Sequence, residues 1–224
     1  EVDRIAEGQV LSVLEAEGLD WNVVSEEIGF VDRGGKKTLV VDPIDGSHNV
    51  LRGMPFATVS LALGSETLGG VEAGVVHDLF TGSTCWAARG HGAFWDGRPI
   101  HVRPWELRRE LFFVNLGRHS TPRSLRLAER GRRIRSLGCA SLEMVMVARG
   151  AADAYLFDND TPHRNLRVTD IAAAYRIVVE AGGQVGDAEF RSLEGFPLRL
   201  GEHTSVCAWG DPAFPHSTES QEAR

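Results

Sequence analysis

The stretch LVVDPIDGSHN, residues 39–49, decides how the rest of the chain is read. Three apolar residues run into Asp42 and Asp45, which are three apart with Pro43 between them. The run TLVVD (38–42) has the look of a buried strand. Proline cannot donate to a sheet ladder, so the strand is expected to stop at Pro43. Gly46 then allows a tight backbone approach, and Ser47 is placed to cap a short helix whose free N–H groups suit an anion. Two carboxylates roughly 4 Å apart repel by about 1 kcal/mol in water and about 4 kcal/mol at an effective dielectric of 20. A hard divalent cation with oxygen ligands reverses that penalty. Taken alone, the octamer DPIDGSHN (42–49) is equally a plain Asp-Pro-Gly turn.

The chain around it has 224 residues and is 42% hydrophobic, enough for a substantial core. Its formal net charge of -7 argues against a general nucleic-acid binder, without excluding phosphorylated substrates. Cys85, Cys139 and Cys207 are odd in number and form no C-x-x-C pair, which argues against a disulfide framework or a cysteine zinc site. A reducing cytoplasm fits that usage. No apolar run approaches a membrane span and no signal peptide is visible. The first residues, EVDRIAEGQVLSVLEAEG, already have helical periodicity with no start signal, so the chain is expected to begin inside a helix, with earlier residues missing.

Outward from the motif, Trp21–Val24 is expected as a short strand leading into Ser25-Glu26-Glu27, and Ala57–Leu63 as another strand. Residues 69–77 and 82–88 pair as a hairpin, and GHGAFWDGRPIHV (90–102) is a second hairpin turning on Asp96-Gly97. After Pro104 the character changes. Helices are expected at 121–133, 141–148 and 170–181, with strands at 111–116 and 153–157. Asp170 looks like an N-cap. The expectation is an α/β fold in two lobes: 1–105, 106–210, and a loose tail over 211–224. Residues 118–135 hold seven arginines and one acidic residue, Glu129. That strip is expected to be a solvated helix face, with an anion-attracting rim or a subunit contact as the alternative. His48, His77 and His163 are expected to be structural, since oxygen ligands suffice. Neither a P-loop nor an EF-hand fits: Gly35 stands where a P-loop places lysine after Gly29 and Gly34.

Several segments together carry a resemblance. DPIDGSHN resembles the D-P-[IL]-D-G-[TS]-x-N signature of the inositol monophosphatase superfamily. In order along the chain, VVSEEIG, GHGAFWDGRPIHV, RSLGCASLEMVMVARGAADAYL and VTDIAAAYRIVVEAGGQV are similar to its other signature segments. Ser25 replaces a usual glycine and Thr169 a usual tryptophan. DPIDGS and LRVTDIAAA resemble the archaeal-type branch most. Its members often hydrolyse both inositol phosphate and fructose 1,6-bisphosphate.

The resemblance implies a layered α-β-α-β-α sandwich of the sugar-phosphatase type. It implies a Mg2+-dependent phosphatase of small phosphorylated polyols or sugars, with two or three ions and Mn2+ as a substitute. Glu26, Asp42, the Ile44 carbonyl, Asp45 and Asp170 would hold the metals. Glu26, Asp42 and Ser47 would serve the attacking water, and Gly46 and Ser47 would bind phosphate. Asp158 falls near a position that touches a substrate hydroxyl, while Arg164 and Arg167 are candidates for a second phosphate. The implied partner is a small phosphate ester, not nucleic acid or membrane, and the implied assembly is a homodimer. Two alternatives stay open: a 3′-phosphoadenosine 5′-phosphate phosphatase, and a non-catalytic binding protein on the same fold.

Overall fold

A computed structural model of the chain describes residues 2–106 and 109–214. Eight strands form the first sheet: β1 (Asn22–Ser25), β2 (Gly29–Val31), β3 (Thr38–Asp45), β4 (Thr58–Gly64), β5 (Val71–Asp78), β6 (Thr84–Ala88), β7 (Ala93–Trp95) and β8 (Arg98–Ile100), in the order β2-β1-β3-β4-β5-β6-β7-β8. The second sheet contains β9 (Leu111–Val114), β10 (Arg133–Arg135), β11 (Ala154–Phe157), β12 (Gln184–Gly186) and β13 (Val206–Trp209), ordered β10-β9-β11-β13-β12. The helices are α1 (Val2–Ala16), the short α2 (Ser47–Leu51), α3 (Pro122–Arg130), α4 (Ala140–Ala148) and α5 (Val168–Glu180).

Strand alternation sorts these elements into layers. In β3, Leu39 and Val41 face α1, where Val10, Leu11 and Leu14 meet them. Val40 faces the other way, into the largest apolar cluster, with α4 and α5. The second sheet repeats the device: Phe113 of β9 and Tyr155 of β11 face α4 and α5, whereas Phe112, Val114, Ala154 and Leu156 face Leu127 of α3. The order is therefore α1, first sheet, α4 with α5, second sheet, α3: the expected five-layer sandwich. A helix between two sheets must be apolar nearly all round. In α4, Leu142, Met144, Val145, Val147 and Ala148 are all buried, and burying a large aliphatic side chain contributes about 1.5–3 kcal/mol. Helix α5 lies so close to β5 that a Cβ on Gly74 would come 2.5 Å from the Ala173 carbonyl oxygen. Glycine at 74 therefore sets where α5, and Asp170 with it, sits over the sheet.

The hairpin expected at Asp96-Gly97 is present, with both residues at positive φ (47° and 76°) as a two-residue primed turn requires. Three expectations need correction. Strand β3 does not stop at Pro43 but runs to Asp45. Asp42 pairs with Ser60 and Asp45 with Thr58, so Pro43 and Ile44 together oppose Val59 of β4. This bulge takes the proline out of the ladder, where its missing N–H is harmless. Gly46, not Ser47, occupies the cap of α2, at φ 88°, and Ser47 is the first helical residue with no capping bond. The turn there is tight enough that a Cβ on residue 46 would lie 2.6 Å from the Phe56 carbonyl oxygen. The tail is packed at least to Phe214, which is 1% exposed and meets Trp105, Phe112 and Phe190 edge-on. Residues 215–224 lie outside the described residues. Among the described residues, no helix is long and apolar enough to cross a membrane.

Candidate metal centre

The bulge has a consequence for the two aspartates. Residues three apart on a regular strand point to opposite faces. Ser60 and Thr58 are two apart on β4 and share a face, so their partners Asp42 and Asp45 share one as well. That face looks toward α4 and α5. Parallel pairing of β1 with β3 sets Ser25 beside Val41, which brings Glu26, one residue on, beside Asp42. Asp170 enters from the first turn of α5, across the layer.

Carboxylate oxygens of Glu26, Asp42 and Asp170 all lie within 4.8 Å of one another. Asp42 is buried, Asp170 half-buried and Glu26 exposed. Burial pushes the Asp42 carboxyl well above its usual range, and the charges of Asp45, Asp170 and Glu26 add to the effect. Burial likewise raises Asp170 to about 7, against the hydrogen bond from the Arg167 N–H. Asp45 is raised by burial, while donors from Ser141, Cys139 and Ala140 pull it back. Three carboxylates this close are what a hard divalent cation neutralises, so the donor set fits such an ion. The guanidinium of Arg167 lies 2.5 Å from Glu26 Oε1.

Asp170 is not the N-cap of α5. Arg167 occupies that position, and Asp170 is three residues on, its Oδ2 accepting the Arg167 N–H at 2.7 Å. Ile44 lies in the bulge with its N–H donating to Asp42 Oδ1 at 3.1 Å. Gly46 and Ser47 follow at the mouth of the centre, Ser47 exposed. The three substrate candidates separate. Arg167 reaches the acidic trio. Arg164 is exposed in a short 3-10 turn, Pro162–Arg164. Asp158 is buried against the start of α3, where its Oδ2 accepts from Thr121 Oγ1 at 2.6 Å and Arg123 at 3.1 Å. Most of the arginines over 118–135 are exposed, and Arg123 bridges Asp158 and Glu189.

Residues to which the sequence assigned no role support the centre. Glu7 of α1 is 1% exposed and accepts from the Ser25 hydroxyl and, at 3.1 Å, from the Glu27 N–H, clamping the segment that carries Glu26. Asn49 of α2 donates to the carbonyls of Phe56 and Leu137 at 2.8 and 2.7 Å, tying the motif turn to the loop before α4. Glu143 accepts the Leu137 N–H at 2.7 Å in the same loop, and burial raises its carboxyl to about 8. Cys85, Cys139 and Cys207 are free and buried.

The sequence matches the profile of the inositol monophosphatase family over residues 1–213. A fructose-1,6-bisphosphatase/inositol-1-monophosphatase of Thermococcus kodakarensis is 37% identical over 211 residues, covering 92% of this chain and 76% of that protein. One of the same name from Methanothermobacter thermautotrophicus is 33% identical over 226 residues, covering 94% and 78%. Among solved structures, a Pyrococcus horikoshii protein described as having similarities to inositol-1 monophosphatase superposes with a TM-score of 0.82 at 32% identity, covering 97% of this chain and 82% of that one.

Proposed function

We propose, for a chain that belongs to the inositol monophosphatase family, a Mg2+-dependent hydrolysis of small phosphorylated polyols or sugars, with inositol 1-phosphate and fructose 1,6-bisphosphate as the leading substrates. The chain is a phosphatase of this family and so a phosphoric monoester hydrolase. The observation that carries the cation requirement is the convergence of Glu26, Asp42 and Asp170 within 4.8 Å. Glu26, Asp42 and the Ile44 carbonyl would hold one ion, and Asp42, Asp45 and Asp170 a second. Ions held there would supply positive charge to the reacting phosphate and acidify a nearby water.

The chain's own residues have the following roles in this reading. Glu26 and Ser47 orient the water for in-line attack on phosphorus. The first N–H groups of α2 have no helical acceptor of their own and face the phosphoryl oxygens as charge grows on them. Water takes the place of the alcohol, so no covalent intermediate is needed. Residues 1–105 carry most of the metal ligands, and 106–210 carry Asp170 and the choice of substrate. Arg167 would turn from Glu26 to a substrate phosphate, and Arg164, exposed in its 3-10 turn, would meet a second one. Asp158 would accept from a substrate hydroxyl alongside the bonds that Thr121 and Arg123 donate to its Oδ2. The protein works as a homodimer in the cytoplasm.

The test is phosphate release from inositol 1-phosphate, fructose 1,6-bisphosphate and 3′-phosphoadenosine 5′-phosphate, each with Mg2+ and with EDTA. Mg2+-dependent turnover of either of the first two supports the reading. Turnover of the nucleotide alone would replace the substrate class. No turnover of any of them by folded, Mg2+-loaded protein would overturn the reading.

A further inference from the structure

We infer that Thr58 and Ser141 form a hydrogen-bond relay that positions Asp45, holding one of its oxygens and leaving the other for a cation. The inference rests on the reading of Asp45 as a metal ligand. It starts from an uneven distribution of donors. Asp45 Oδ2 accepts from the Ser141 N–H and the Ser141 hydroxyl, both at 2.6 Å, and from the Cys139 thiol at 3.4 Å. Among the described residues, the one donor to Oδ1 is the Ala140 N–H, at a long 3.3 Å. A carboxylate has about four lone-pair sites. Oδ2 is saturated, and the spare capacity is on Oδ1.

The direction of the relay follows from proton counting. Ser141 has one hydroxyl proton, and it points to Asp45. Its 2.6 Å contact with Thr58 Oγ1 must then be filled by the Thr58 proton. Thr58 is fully buried and sits opposite Asp45 in the β3–β4 ladder. The regular alternation of β4 turns Thr58 to the inner face, and the bulge in β3 brings Asp45 to the same face. Thr58 fixes Ser141, Ser141 fixes Oδ2, and the carboxylate cannot rotate. The three residues come from β4, α4 and β3, so Asp45 is aligned only when α4 is docked on the first sheet. Outer partners of metal ligands typically contribute 10–100-fold to affinity.

A purely structural role would give a different pattern, and Mn2+ separates the two. Mn2+ titration, followed by electron paramagnetic resonance, would compare wild type, Asp45→Asn, Ser141→Ala, the double variant, Thr58→Val and Thr58→Ser. Thermal melts in EDTA control for folding. The relay predicts that Ser141→Ala weakens one Mn2+ site roughly 10–100-fold and adds nothing in the Asp45→Asn background. Thr58→Val should weaken the same site by a smaller factor, and Thr58→Ser should restore it. If Asp45→Asn weakens binding and Ser141→Ala does not, the relay is wrong while the metal reading stands. If Ser141→Ala weakens binding equally with and without Asp45, the relay is also wrong. If Asp45→Asn leaves Mn2+ binding unchanged, the metal reading of Asp45 fails and takes the relay with it. Should Ser141→Ala fail to fold, the two Thr58 variants decide.

Discussion

Replacing Asp42 with Asn should stabilise the metal-free protein while abolishing turnover. Two unit charges 4.8 Å apart repel by about 3.5 kcal/mol at an effective dielectric of 20. Asp42 faces two such neighbours, Glu26 and Asp170. Arg167 already compensates Glu26, and proton uptake by Asp42 and Asp170 relieves part of the remainder. A net gain of about 1–3 kcal/mol is left for the variant near pH 8. The amide oxygen of Asn can keep the Ile44 N–H bond, so little is lost locally. In a chain of this size each kcal/mol moves the melting temperature by about 2–4 °C, which gives a rise of about 2–12 °C in EDTA. The assay is a thermal melt at pH 8, with EDTA and with saturating Mg2+. Wild type should gain stability from Mg2+, and the variant should gain far less. A variant that melts at or below wild type in EDTA, or gains equally from Mg2+, would refute the electrostatic account of the trio.

Metal-free stability should depend on pH in an unusual direction. Asp170 and Glu143 have folded values of about 7 and about 8, above ordinary carboxyls, so the folded state holds more protons than the unfolded one between about pH 4 and 8. Stability in EDTA should therefore fall as pH rises through that window, by at most about 1.4 kcal/mol per pH unit per group, and level off above it; urea midpoints measure this, and a rise with pH would contradict it. Gly46→Ala forces a side chain to φ 88° and toward the Phe56 carbonyl. It should destabilise by about 2–4 kcal/mol and remove most turnover, read from denaturant midpoints and kcat. Arg167→Ala should raise KM for fructose 1,6-bisphosphate more than for inositol 1-phosphate, and the same holds for Arg164→Ala; equal effects on both substrates would remove these arginines from the second-phosphate role.

Much of this was legible in the sequence where local pattern and physics coincide. The strand TLVVD, the Asp96-Gly97 turn and the helix stopped by Gly182-Gly183 are set by neighbours a few residues away. The bulge at Pro43 was not legible, because proline reads as a strand end unless the chain spends an extra residue there. Gly46 displaced Ser47 from the cap because the backbone needs the left-handed region, a requirement that outweighs a hydroxyl acceptor. Asp170 sits three residues inside its helix because Arg167 supplies an extended backbone at the cap. Glu7 and Thr58 lie outside every motif, and the segment that holds Cys139 and Ser141 gives no sign of their contact with Asp45. Their contacts join residues 18 to 96 positions apart, and only the docking of α1 and α4 on the first sheet brings them to the motif. Phe214 was missed for a related reason, since its partners Trp105 and Phe112 come from a different stretch of chain.

On this reading the acidic trio makes the enzyme cation-dependent. Its most direct test is phosphate release from inositol 1-phosphate and fructose 1,6-bisphosphate by EDTA-stripped protein, before and after Mg2+ is restored, in wild type and in Asp170→Asn. The account predicts no turnover when stripped, recovery in wild type on adding Mg2+, and no recovery in the variant. Turnover that survives stripping, or that Asp170→Asn recovers in full, would contradict it.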